Sequence, residues 1–125
     1  MIAQMEEALA SIKREHEEVF DLSYHLYVMS ETDYADSGTT IFEELVSKVI
    51  SHLKAEEDLL VKIGYPKVNE HKLAHAEVLS KLERVNILVK DSVMYFVNRI
   101  IKHVMDEDKE FNEWNKGRQH ENFNG

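Results

Sequence analysis

The chain has 125 residues, 43% of them hydrophobic, a formal net charge of -9 at neutral pH and no cysteine. That length and apolar content suit one compact domain with a single core, and the acidic balance disfavours nucleic acid or an anionic membrane as a partner. The absence of cysteine excludes disulfides, thiolate zinc sites, iron–sulfur clusters and thiol catalysis.

Four glycines and one proline leave little material for the turns of an all-β fold, so the expected class is all-α. The first predicted helix runs from about Ile2 to Ser30, with Met5, Leu9, Ile12, Val19, Phe20 and Leu26 recurring every three or four residues. His16 falls on that stripe. His25, nine residues further on, turns to the opposite face at about 100° per residue. The polar stretch Glu31–Gly38 has the composition of a surface loop. Thr40 with Glu43 makes a capping box that opens the second helix.

The second helix places Phe42, Leu45, Val49, His52, Glu56, Leu59 and Ile63 on one line. Gly64 followed by Pro66 reads as a stop and reversal, so the third helix should return antiparallel beside it. That helix, from about Lys67 to Asn86, carries Val68, His71, His75, Val78, Leu82 and Val85. After a short connection near Ile87 to Asp91, with Asp91 or Ser92 as N-cap, the fourth presents Phe96, Ile100, Val104, Phe111 and Trp114. It should end near Gly117. The expected organisation is one bundle over residues 1–117 with a flexible C-terminal tail over 118–125. No apolar run approaches the roughly 20 residues needed to span a bilayer, and the acidic N-terminus lacks a leader pattern, so a cytoplasmic protein is the expectation.

Ligand-type residues interrupt the apolar stripes. His52 and Glu56, and again His71 and His75, are four residues apart, so each pair shares one helix face. A carboxylate in an apolar stripe is costly unless it is paired or bound to a cation. On the fourth helix Asp108 lies about 140° from His103 and Glu107 about 40°. His103 and Asp108 thus flank the apolar line, and Glu107 competes for the carboxylate role. Five inward histidines over four helices would each need a buried partner that the stripes do not otherwise offer. His25, and His120 in the tail, fall outside the pattern. Glu15, Glu17 and Glu18 read as a solvated face, and Tyr24, Tyr27, Phe96 and Trp114 as core or surface filling.

Imidazole with carboxylate suits iron, manganese, zinc or copper. Seven protein ligands are too many for one ion and suit two, bridged by carboxylates. No Glu-x-x-His occurs in the sequence, which disfavours the ferritin type of di-iron bundle.

The runs REHEEVFDL around His16, HLKAEE from His52, GYPKVNEHKLAH, and HVMDED from His103 together resemble the hemerythrin family over nearly the whole chain. The resemblance implies an up-down-up-down antiparallel four-helix bundle around an oxo- or hydroxo-bridged, non-heme di-iron centre that binds dioxygen reversibly, for transport, storage or sensing. It implies that His71, His75 and His103 bind one iron and His16 and His52 the other. Glu56 and Asp108 would bridge them, leaving an open position for dioxygen on the second iron. Where family members commonly carry Trp-Leu before the fourth-helix histidine, this chain has Arg99 and Ile100. Ile100 would still form an apolar wall of the dioxygen pocket. The loop between the first two helices is longer than usual for the family. Reduction of peroxide or nitric oxide at the same irons is the alternative reading.

Overall fold

In the computed structural model, residues 2–124 are described. The side chains of residues 2–6, 8, 9, 108, 115 and 118–124 lie outside the described residues, and with them the expectations placed on Met5, Leu9, Asp108 and His120. The chain order is α1 (Ile2–Val28), α2 (Glu31–Asp33), a π-helical turn (Tyr34–Gly38), α3 (Thr39–Lys62), α4 (Val68–Leu82) and α5 (Lys90–Asn124). The elements α2, π turn and α3 run on without a break, so four rods form the fold. No strand occurs among the described residues. α1 packs on α3 and α5, and α4 packs on the same two. This ring of neighbours is the up-down-up-down four-helix bundle.

The segment from Glu31 to Gly38 is helical, not the surface loop its polar composition implies. Ser30 is the N-cap, its side chain accepting from the Asp33 amide at 3.0 Å. Thr40 therefore lies inside a helix already under way, and its capping box with Glu43 is not used. Tyr34 explains the difference. Its ring is 3% exposed, and its hydroxyl donates to the Ile87 carbonyl at 2.6 Å across the bundle. An apolar ring with a satisfied polar tip is worth burying, and the π turn supplies the rotation that aims it inward.

The α3–α4 reversal follows the sequence expectation. Gly64 has φ +73°, the only positive value in the described backbone, a conformation that glycine adopts without steric cost. α4 stops at Leu82, earlier than the apolar spacing indicates, because Val85 and Ile87 pack from the connection. Ser92 does not cap α5: the helix begins at Lys90, and the Ser92 hydroxyl accepts instead from the Asn86 amide at 2.9 Å. α5 also continues past Gly117 to Asn124. Without a left-handed φ, Gly117 costs the helix about 1 kcal/mol but does not end it.

The interior is layered. Leu26, Phe42, Leu45, Val93, Phe96 and Val97 fill the half of the bundle where α1 ends and α5 begins. Each such side chain contributes roughly 1.5–3 kcal/mol on burial. At the opposite end Tyr65 packs against Phe111 and Trp114, with ring centroids 5.8 and 5.0 Å apart. Between the two apolar layers lies a buried polar one: His16, His52, Glu56, His71, His75 and Glu107.

Candidate metal centre

Each rod contributes to that polar layer because the helical repeat brings its ligand-type residues to the same height. His16 comes from α1, His52 and Glu56 from α3, His71 and His75 from α4, and His103 and Glu107 from α5. The six residues other than His103 are between 2% and 6% exposed, so water does not solvate them. They must satisfy one another or hold an ion.

On one side His16 Nε2 lies 2.8 Å from His52 Nε2, and His52 Nε2 lies 2.9 Å from Glu56 Oε2. On the other, Glu107 Oε1 is 3.1 Å from His71 Nδ1, 2.7 Å from His75 Nε2 and 2.6 Å from His103 Nε2. Glu56 Oε1 reaches the second group too, 3.5 Å from His75 Nε2. Two sets of four residues result, His16–His52–Glu56–Glu107 and Glu56–His71–His75–Glu107, each with donor atoms within 4.8 Å of one another. Both carboxylates belong to both sets. That is the arrangement two cations sharing two bridging carboxylates would need.

The electrostatics agree. Burial pushes the Glu56 carboxyl up, but hydrogen bonds from His16, His52 and His75 outweigh it and hold the group well below the usual carboxylate range. Glu107 is lowered in the same way, burial again opposed by His103, His71 and His75. Burial disfavours charge on His75, yet its bonds to Glu107 and Glu56 lift it to about 10. These carboxylates are therefore ionised, and positive charge collects around them. Among the described residues Glu107 Oε2 has no hydrogen-bond partner, and Glu56 Oε2 has only the close approach of His52 Nε2 at 2.9 Å. A buried anionic oxygen left in that state costs several kcal/mol, and a cation removes the deficit. Nitrogen and oxygen donors without thiolate suit a first-row transition metal. The residues present fit a metal.

A cavity of about 250 Å³ opens onto the layer, lined by His16, Glu56, His71 and Glu107 together with Ile12, Leu60 and Phe111.

The structure thus brings together His16, His52, Glu56, His71, His75 and His103. Ile100 is 1% exposed, within the apolar cluster one turn from His103 and Val104, and is not among the residues lining that cavity. The Asp108 side chain lies outside the described residues. Glu107, the sequence's competing carboxylate, stands in both ligand sets. Its signal was the His-x-x-x-Glu spacing from His103, the same as from His52 to Glu56. Two outer residues do not show in the sequence pattern: Glu57, whose Oε1 lies 3.2 Å from His75 Nδ1, and Glu15. Glu15 does not sit idle on a solvated face, since its Oε2 lies 2.6 Å from His52 Nδ1. His25 is exposed, as its place on the wheel indicates.

The chain resembles known proteins along most of its length. The relatives include the Bacteriohemerythrin of Clostridium acetobutylicum, 27% identical over 121 residues that cover 86% of this chain and 94% of the relative. The Bacteriohemerythrin of Campylobacter jejuni is 26% identical over 106 residues, covering 78% and 80%. A Hemerythrin-like protein of Naegleria gruberi is 21% identical over 100 residues, covering 80% and 79%. No solved structure matches. The family model of the Hemerythrin HHE cation binding domain matches residues 7–114, and with the bundle and its His/Glu layer in place, the chain belongs to the hemerythrin family.

Proposed function

We propose that this chain binds dioxygen reversibly at a non-heme di-iron centre, as a carrier, store or sensor. The observation that carries the reading is the pair of ligand sets joined by shared carboxylates, with histidines from all four rods around them. His71, His75 and His103 would hold one iron, and His16 and His52 the other. Glu56 would bridge them. α5 offers two adjacent carboxylates for the second bridge: Asp108, where the family motif falls, and Glu107, which both sets contain.

Bound there, two iron ions would supply reversible one-electron chemistry at each site, which is what taking up and releasing dioxygen requires. The protein's own part is to position and to exclude. Five imidazoles against two carboxylates make a ligand set rich in neutral nitrogen, which stabilises the reduced metal more than a carboxylate-rich set does. The half with fewer histidines would leave room for an incoming ligand, and the cavity reaches His16 on that half as well as His71 on the other. Ile100, packed one turn from His103, would keep water from the opposite side. No helix among the described residues is long and apolar enough to cross a membrane, and charge gives no basis for a nucleic-acid partner.

The test is anaerobic reduction of iron-loaded protein followed by alternating air and argon, with the visible spectrum recorded. A band that appears with dioxygen and disappears without it supports binding. Irreversible bleaching with turnover of peroxide or nitric oxide would favour a reductase, and no band in any state would refute both.

A further inference from the structure

Two imidazoles of the polar layer are held from behind by carboxylates on other helices. Glu15, on α1, places Oε2 2.6 Å from Nδ1 of His52 on α3. Glu57, on α3, places Oε1 3.2 Å from Nδ1 of His75 on α4. In both imidazoles Nε2 faces inward, 2.9 Å from Glu56 Oε2 for His52 and 2.7 Å from Glu107 Oε1 for His75. One clasped histidine stands in each ligand set, and neither Glu15 nor Glu57 is itself in a set.

An imidazole that donates Nδ1–H to a carboxylate keeps its Nε2 lone pair for a metal, with tautomer and ring plane fixed. The carboxylate also pushes electron density into the ring, which favours the more oxidised ion. Both clasps cross between rods, so they fix the helices at the height of the layer as well as the rings. Glu18, one turn along α1 from Glu15, crosses the same helix pair but reaches only Lys48 at the surface, at 3.0 Å.

We propose that Glu15 and Glu57 are positioning residues for the metal centre, one for each ion, and that they set its retention and reduction potential. The proposal rests on the metal-centre reading above.

The test compares wild type, Glu15→Gln, Glu57→Gln and Glu18→Gln after iron loading of the full chain. Glutamine keeps shape and hydrogen bonding but removes the charge. Loss of iron to a chelator should become about 10- to 100-fold faster in the first two variants, and the midpoint potential of the bound iron should rise. Glu18→Gln should match wild type in both, and Glu15→Asp should restore part of the retention. In metal-free protein, the deshielded His52 Nδ1–H signal in the NMR spectrum should move in Glu15→Gln while the thermal midpoint stays close to wild type. Wild-type loading with unchanged release and potential in both Gln variants would overturn this proposal alone. A wild-type chain that takes up no iron would overturn the metal-centre reading and the proposal with it.

Discussion

His103 Nε2 and Glu107 Oε1 meet at 2.6 Å, one turn apart on α5, in the same relation as His52 and Glu56 on α3 at 2.9 Å. The two His-x-x-x-Glu pairs face each other across the bundle, and their carboxylates stand in both ligand sets. Replacing Glu107 with Ala should therefore reduce metal loading at both positions, to well below the wild-type content. Elemental analysis beside Asp108→Ala checks this. Full loading of Glu107→Ala, with loss confined to Asp108→Ala, would show that α5 turns by one residue on taking up metal.

His75 belongs to one set and His25 to none. Replacing His75 with Ala should lower iron below two per chain, whereas His25→Ala should leave both iron content and visible spectrum unchanged. Full occupancy without His75, or a lost band without His25, would contradict the placement of α1 and α4.

Without metal, stability should depend on pH in a defined way. His75 is lifted from 6.5 to about 10 by Glu107 and Glu56 against the effect of burial, and His52 and His71 are raised too. A base held protonated contributes fully below its unfolded value and loses that contribution as pH rises through its folded value. Glu56 and Glu107, held below 4.5, contribute fully above that value and lose it as pH falls. The metal-free thermal midpoint should peak between about pH 4.5 and 6.5 and decline from there towards pH 10. Calorimetry of chelator-treated protein measures it, and a midpoint that stays level or climbs above pH 6.5 would contradict the pairing. Iron loading should remove the slope, because a metal replaces the protons.

A Cβ on Gly38 would collide with the Cγ–Cδ2–Cε2 edge of the Tyr34 ring. Gly38→Ala should cost about 1–3 kcal/mol through overpacking, lowering the thermal midpoint by several degrees while the ligand residues still load metal. An unshifted midpoint would show that the Tyr34 ring is free to move aside.

The bundle and most of the metal layer were legible because both rest on the helical repeat. His16, His52, His71, His75 and His103 interrupt apolar stripes at helical spacing, and Glu56 follows His52 by one turn. What escaped depends on contacts between distant parts of the chain. The stretch from Glu31 to Gly38 is polar enough for a loop, and it folds because Tyr34 finds the Ile87 carbonyl 53 residues away. Glu15 sits in a run of charges that reads as solvated surface, and only the approach of α3 gives it His52. Glu107 and Asp108 differ by one residue, a smaller step than helix-wheel geometry resolves when a π turn is possible.

The most direct test is the metal content of freshly purified protein, by elemental analysis with Mössbauer spectroscopy of the iron. The expected result is two iron ions per chain, coupled through shared bridges. One isolated ion, zinc in place of iron, or no metal at all would contradict a di-iron centre within this bundle.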